Sequence, residues 1–187
     1  VPHVVLLSSL GANLAEGTGP IRSLHYAEGR LKTLPGTQLT ALRAAYFMEN
    51  IASGFHPARE QGILPALFSP TQKIEMVATR DIGLAAAHAL REVPAEHRVI
   101  DVVGPETYSY AQAAELIGKR LGRTVAPLYV PREGVVPALT QAGLSADAAG
   151  LFLEMATAID AKKLALEGRL VRGKVTLAER LGELLGQ

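Results

Sequence analysis

The feature that most constrains the fold is a strand, a helix and a second strand in close succession. Residues 4–7 form a short apolar run closed by two serines and a glycine, which is typical of a buried central strand. Residues 21–34 are predicted as a helix with Pro20 in its first turn, and residues 39–42 as the second strand. Two strands joined by a helix predict a right-handed crossover in a parallel sheet. The chain is therefore assigned to the α/β class.

The rest of the chain continues in short strands and helices. Ser109 with Gln112 and Thr176 with Glu179 have the spacing of capping boxes, and each pair predicts the start of a helix. Asp81 is interpreted as the cap of a helix over 82–90. The other expected elements are strands at 73–77, 99–103 and 125–130, and helices at 44–51 and 145–159.

Composition excludes several classes of protein. Of the 187 residues, 48% are apolar and 20% charged, which suits one globular domain over residues 1–187. The formal charge of +1 makes nucleic acid or a membrane surface a poor partner. No apolar stretch approaches the roughly 20 residues that span a bilayer. Without cysteine, or histidines at ligand spacing, no metal site is expected, and the absence of cysteine and of a signal peptide favours the cytoplasm.

The chain begins with Val1 and enters an apolar strand almost at once. We interpret this as an N-terminally truncated domain, with a sheet part over about 1–103 and a substrate-side part over about 104–187. Strand edges exposed by truncation predict that the chain pairs with itself, as a homodimer, or aggregates.

In open parallel sheets, ligands bind beyond the carboxyl ends of the strands, so residues after the first two strands are the candidate site. The alternative to a binding role is that Ser8 and Ser9 only terminate the first strand. Arg43 either holds an anionic group of the substrate or pairs with an acid such as Glu49, and Asn50 either caps a helix or orients a ligand. The candidate cofactor-binding residues are Ser8, Ser9, Leu10, Ala44, Ala45, Tyr46 and Phe47, and the candidate substrate residues are Arg43, Tyr46 and Asn50.

Five blocks in order carry a resemblance to a known family. They are VVLLSSLGAN, HYAEGRL, LTALRAAYFMENI, VATRDIGLAAAHAL and VIDVVGPETYSYAQAAELIGKRLGRTV, and they cover most of the chain. In this order and spacing they resemble the later half of NmrA-like proteins, atypical short-chain dehydrogenase/reductase relatives. The resemblance implies the C-terminal part of a Rossmann-like sheet with helices on both faces, a small α/β substrate-side region, and a nicotinamide near the residues that follow the first two strands.

The cofactor implied by the resemblance is NADP or NAD. The family's glycine fingerprint would lie upstream, since no G-x-G-x-x-G or G-x-x-G-x-x-G after a strand occurs in this sequence. These glycines let backbone amides approach the phosphates, so the 187 residues alone are expected to bind a dinucleotide weakly.

The catalytic candidates stand on the first helix. Carbonyl-reducing relatives use a Tyr-x-x-x-Lys pair, whose positions fall here at Pro20 and Leu24. Tyr26 with Arg30 is the nearest substitute, and its alternative is a helix-surface pair. His25, in a local pattern that resembles quinone reductases of this family, is the better candidate, because an imidazole titrates near neutrality; its alternative is a structural histidine.

The function implied is hydride transfer from NAD(P)H to a small-molecule electron acceptor that is flat, such as a quinone. A quinone needs little acid catalysis from the protein, so the missing Tyr/Lys pair is tolerated. The alternative is a non-enzymatic redox sensor that binds NADP(H). Epimerase or dehydratase chemistry is disfavoured because it needs the missing general base.

Overall fold

The computed structural model describes residues 1–186. The strands are β1 (His3–Ser9), β2 (Gln38–Ala44), β3 (Tyr46–Phe47), β4 (Ile63–Ala66), β5 (Ile74–Val77), β6 (Arg98–Val103), β7 (Thr107–Tyr108), β8 (Ala126–Tyr129) and β9 (Arg169–Arg172). The helices are α1 (Arg22–Lys32), α2 (Phe55–Gln61), α3 (Thr79–Ala89), α4 (Tyr110–Leu121), α5 (Arg132–Gln141), α6 (Ala146–Asp160) and α7 (Leu177–Leu185), with 3-10 turns at Gly19–Ile21 and Met48–Gly54.

The main sheet has four parallel strands in the order β1-β2-β6-β9. The strand, helix and strand predicted at the start of the chain are present as β1, α1 and β2, and the α/β class is confirmed. β1 is an edge strand of this sheet, so its apolar run is half-buried and not fully buried as predicted, with Leu7 48% exposed.

The two faces of this sheet are covered by different helices, as expected for a Rossmann-like sheet. Side chains alternate along a strand, so neighbours on β2 face opposite ways. Leu42 packs in a core cluster with Ile82 of α3, whereas Arg43 hydrogen-bonds Glu28 of α1. The sheet therefore lies between α1 and α3.

A second region of the molecule extends from the carboxyl edge of the main sheet. It contains a mixed three-stranded sheet, β3-β5-β7, and a parallel pair, β4-β8. Residues of α2, α4, α6 and α7 close its apolar core. Because β9 comes from beyond residue 104, and β3, β4 and β5 from before it, the main sheet and the second region each draw on both parts of the chain.

Several local predictions are wrong for physical reasons. Residues 44–47 are extended and not helical, because β2 continues through Ala44 and Ala45 N donates to Val102 O at 2.9 Å. Asp81 is not an N-cap; its carboxylate accepts from the backbone N of Lys174 at 3.0 Å and Val175 at 2.9 Å. The helix starts at Thr79 instead. Asp81 thus ties α3 to the segment that leads into α7.

Both capping boxes are confirmed, and the first gives a stability prediction. The Ser109 hydroxyl accepts from Gln112 N at 3.2 Å, while the Gln112 side chain accepts from Ser109 N at 3.0 Å. Ser109→Ala is expected to lower the free energy of unfolding by about 1 kcal/mol, because an orphan amide of α4 loses its acceptor. Urea denaturation measures this, and the control is Ser23→Ala, an exposed serine of α1 whose hydroxyl donates to the Pro20 carbonyl and caps no helix amide. Equal midpoints for both variants would contradict the capping role.

Within residues 1–186, no helix is both long enough and apolar enough to cross a membrane. The same residues contain no group of three or more His, Asp or Glu side chains placed to hold a metal ion.

Candidate functional site

A cavity of about 350 Å³ opens where β1 and β2 end, between the main sheet and the second region. Its lining comes from the ends of β1 and β2, the two 3-10 turns, β3, β5 and the loop before it, β7, α6 and the segment after α6. The lining residues are Ser9, Leu10, Ile21, Ala44, Ala45, Tyr46, Phe47, Asn50, Gln72, Lys73, Ile74, Glu75, Thr107, Met155, Ile159, Lys162 and Leu164.

On the side of the main sheet, the cavity is lined by small side chains and by the backbone at the ends of β1 and β2. Leu10 N donates to Ala44 O at 3.0 Å, and this bond holds the ends of β1 and β2 together. Ala44 and Ala45 are 2% and 4% exposed. Their methyl groups leave room for a flat ring to approach the backbone.

One wall of the cavity is aromatic: Tyr46 and Phe47 line it, and Phe68 and Tyr110 pack behind Tyr46 without lining it. The hydroxyls of Tyr46 and Tyr110 lie 2.7 Å apart, and both rings pack edge-on against Phe68, with centroids at 5.7 and 5.1 Å. Burial raises the pKa of the Tyr46 phenol, and hydrogen bonds to Tyr110 and Asn50 oppose that rise only in part. Burial also raises the pKa of Tyr110. Both phenols therefore stay protonated at neutral pH.

The opposite wall comes from α6 and the segment that follows it. Met155 and Ile159 of α6 line the cavity, together with Lys162 and Leu164. The segment is anchored further on, because the Asp101 carboxylate on β6 accepts from the backbone N of Glu167 at 2.6 Å and of Gly168 at 2.7 Å. Two successive backbone amides held by one buried carboxylate fix this wall against the sheet.

A buried ion pair lies beneath the site, on the α1 face of the sheet. Arg43 Nη2 lies 2.8 Å from Glu28 Oε2, and Arg43 Nε donates to Glu28 Oε1 at 3.0 Å. Ser8 donates to the same oxygen at 2.6 Å, and Arg43 also reaches Glu167 at 3.1 Å. Burial alone raises the pKa of Glu28, but the bonds from Arg43 and Ser8 outweigh it, so the net pKa is lowered.

This pair gives stability a defined pH dependence. A carboxyl whose pKa is lowered by folding stabilises the protein above its unfolded pKa, and that stability is lost as the pH falls through the folded value. The free energy of unfolding is expected to drop below about pH 5, and Glu28→Gln is expected to flatten that drop. Denaturation midpoints at a series of pH values measure both. An equally steep drop in Glu28→Gln would assign the acid sensitivity to other carboxyls.

The structure separates the predicted site residues into two groups. Ser9, Leu10, Asn50 and the stretch 44–47 meet at the cavity. Ser8 does not, because alternation along β1 turns it to the α1 face, where it is 2% exposed. Arg43 is turned away for the same reason; it pairs with an acid, as one alternative held, but the acid is Glu28 and not Glu49.

The two catalytic candidates lie outside the cavity lining. His25 Nδ1 lies 2.9 Å from the Ala12 carbonyl oxygen, an arrangement in which the ring donates to the backbone. Tyr26 is 68% exposed on α1. Neither side chain lines the cavity, so the prediction of a catalytic role receives no geometric support.

Sequence reasoning missed the opposite wall entirely. Met155 and Ile159 look like ordinary core positions of an amphipathic helix, and Lys162 and Leu164 lie in a segment with no local pattern. They reach the cavity through contacts distant in sequence. Lys162 adopts φ 54°, which is uncommon for a residue other than glycine and marks the turn that brings the segment back over the cavity.

The fold and cavity define an open parallel α/β protein with a cavity at the carboxyl edge of its sheet. A comparison with family models matches residues 30–168 to the NmrA-like family, and the chain belongs to that family. The resemblance carried by the five sequence blocks is thereby confirmed.

The matches to curated relatives span most of this chain but only part of each relative. Agroclavine dehydrogenase from Claviceps fusiformis is 30% identical over 86% of this chain and 55% of its own. The uncharacterized oxidoreductase YesF from Bacillus subtilis is 31% identical over 79% of this chain and 51% of its own. The chain therefore spans about half the length of these relatives.

Solved structures share the fold. An NADPH-dependent quinone oxidoreductase from Escherichia coli superimposes with a TM-score of 0.73 and 20% identity, over 99% of this chain and 68% of its own. Triphenylmethane reductase from Citrobacter, complexed with NADP(H), gives a TM-score of 0.70 and 19% identity, over 90% of this chain and 58% of its own. The Rossmann-like fold is thus shared with these proteins.

Proposed function

We propose that this chain forms the nicotinamide and acceptor side of an NAD(P)H-dependent oxidoreductase that reduces a flat acceptor such as a quinone. The observation that carries the proposal is the cavity at the ends of β1 and β2. It combines buried alanines, an aromatic wall and a volume of about 350 Å³. Ligands of open parallel sheets bind at this edge, and the names of the relatives are those of oxidoreductases.

The residues present fit the nicotinamide end of the cofactor. The backbone between Ala44 and Phe47 and the loop after Ser9 would flank the ring, and Asn50 and Gln72 supply polar groups at the rim. A bound dihydronicotinamide would supply a hydride. The chain's own residues would exclude water from the ring through Met155, Ile159 and Leu164 and hold the acceptor against it.

The cofactor in this proposal is a nicotinamide dinucleotide, NADP or NAD. The similar E. coli quinone oxidoreductase has been solved as a complex with NADPH, and the Citrobacter reductase as a complex with NADP(H). That supports NADPH as the first cofactor to test. No glycine fingerprint follows a strand in this sequence. We therefore assign no residue of this chain to the binding of the pyrophosphate.

The second candidate is a redox sensor that binds NADP(H) without turnover. The observation that favours it is the position of His25 and Tyr26 outside the cavity, together with the absence of a Tyr-x-x-x-Lys pair from the sequence. A protein that binds the cofactor but has no proton donor at these positions is consistent with a sensor.

One experiment separates the two. The protein expressed from its natural gene is titrated with NADPH, and the loss of dihydronicotinamide absorbance is then followed with menadione, a small naphthoquinone. Binding with menadione-dependent oxidation supports the reductase. Binding without oxidation across a panel of quinones supports the sensor, and no binding of NADPH contradicts both.

A further inference from the structure

The hydroxyl groups of Tyr46 and Tyr110 share one hydrogen bond, and their protons can be assigned. Two phenols carry two protons, and the 2.7 Å contact between the oxygens uses only one of them. Tyr46 lines the cavity, whereas Tyr110 does not and is 6% exposed. Among residues 1–186, the Tyr110 hydroxyl has no other hydrogen-bond partner.

If Tyr46 donated to Tyr110, the proton of Tyr110 would be left among aromatic rings. Its ring packs at 83° against Phe68, and within residues 1–186 its hydroxyl makes no hydrogen bond other than the one to Tyr46. A buried donor without an acceptor is costly because it has lost its water. In the converse arrangement Tyr110 is satisfied, and the proton of Tyr46 is directed to the cavity side, where Asn50 also lies and where an oxygen of a ligand can accept it.

From this arrangement, and resting on the function proposed above, we propose that Tyr46 donates a proton to an oxygen of the acceptor and that Tyr110 is the positioning residue that orients it. Tyr46 would be a catalytic residue because it touches the substrate. A phenol that accepts one hydrogen bond is polarised and becomes a stronger donor of its own proton. The aromatic wall therefore has a chemical role in addition to its shape.

The proposal specifies the class of acceptor. A bound reduced nicotinamide would supply a hydride, with both electrons, to the carbonyl carbon of the acceptor or to a conjugated ring carbon of a quinone. The electron pair of the acceptor's C=O bond moves to oxygen, the O–H bond of Tyr46 breaks, and a new O–H bond forms on the acceptor. Tyr46 keeps its bond from Tyr110 as a phenolate and regains a proton from water. An acceptor that is already a cation needs no such proton, so the site favours neutral oxygen acceptors.

The test uses three Tyr→Phe variants of the protein expressed from its natural gene. Tyr46→Phe removes the donor, and Tyr110→Phe removes the positioning group. Tyr108→Phe is the matched control, since Tyr108 is a phenol 7% exposed that does not line the cavity. Calorimetry measures menadione binding to the cofactor-free protein, and turnover with NADPH and menadione is measured in H2O and D2O.

We expect Tyr46→Phe to bind menadione about fivefold to tenfold more weakly and to lose about tenfold to a hundredfold in kcat, with its solvent isotope effect abolished. Tyr110→Phe should lose about threefold to tenfold in kcat while KM changes little, and Tyr108→Phe should match the wild type in binding and turnover. The double variant Tyr46→Phe/Tyr110→Phe checks folding, since it leaves neither phenol unsatisfied.

Menadione binding and turnover that are equal in Tyr46→Phe and the wild type would overturn the proposal. The same loss in Tyr108→Phe would also overturn it, because the effect would then follow from any buried phenol. If the wild type binds NADPH without turnover, the proposed reductase fails, and the menadione affinities still decide whether Tyr46 donates to an acceptor oxygen.

Discussion

Arg43→Met is expected to lower the free energy of unfolding by about 3–5 kcal/mol, the largest effect on stability that we predict. Arg43 and Glu28 are 6% and 3% exposed, and two hydrogen bonds join them. Without the guanidinium, the Glu28 carboxylate is left buried with only Ser8 and the more distant Lys32 to compensate its charge. Urea denaturation followed by circular dichroism measures the loss.

Two further variants make this prediction specific. Glu28→Met/Arg43→Met removes both charges and is expected to recover most of the loss, since replacing a whole buried pair by apolar groups is often close to neutral. Arg169→Met on exposed β9 is the control and should stay within about 0.5 kcal/mol of the wild type. A double variant no more stable than Arg43→Met alone would contradict this account, because the loss would then not come from the unpaired Glu28 carboxylate.

Ala45→Phe is expected to lower NADPH-dependent reduction of menadione by about a hundredfold or more. The Ala45 side chain is 4% exposed and lies against the cavity of about 350 Å³. A phenyl ring at this position enters the space assigned to the two reacting rings, and a misplacement of about 1 Å already costs about a hundredfold. Steady-state turnover measures the effect.

The control for this variant is Ala87→Phe, which adds the same ring on the exposed side of α3. It should keep wild-type turnover. Overpacking by Ala45→Phe is expected to cost about 1–3 kcal/mol in stability, so denaturation must show that the variant is still folded at the assay temperature. A folded Ala45→Phe protein with wild-type turnover would place the chemistry elsewhere.

The parts of the fold that the sequence predicted are those with local signals. β1, β2 and β6 are apolar runs, and Ser109 and Thr176 begin helices through caps that span only three residues. β9 was missed because it has only two apolar residues, which stand together between Arg169 and Arg172, and it becomes a strand by pairing with β6. α5 was missed because it contains Pro137.

The candidate site divides in the same way. Ser9, Leu10 and the stretch 44–47 could be found because they follow strands, and the ends of parallel strands meet at one edge. Ser8 was wrongly predicted to line the cavity because Ser8 and Ser9 are adjacent at the end of β1. Only the alternation of side chains along the strand decides which of the two faces α1. The wall formed by α6 and residues 162–164 depends on contacts distant in sequence and had no local signal.

The central claim is that the cavity at the ends of β1 and β2 holds the nicotinamide. The most direct test is a calorimetric titration of NADPH into the protein expressed from its natural gene, beside the same titration of Ala45→Phe. We predict saturable binding at one site per chain in the wild type and at least tenfold weaker binding in the variant, a difference of about 1.4 kcal/mol or more. Absence of saturable binding in the wild type, or equal affinities in the two proteins, would contradict the claim.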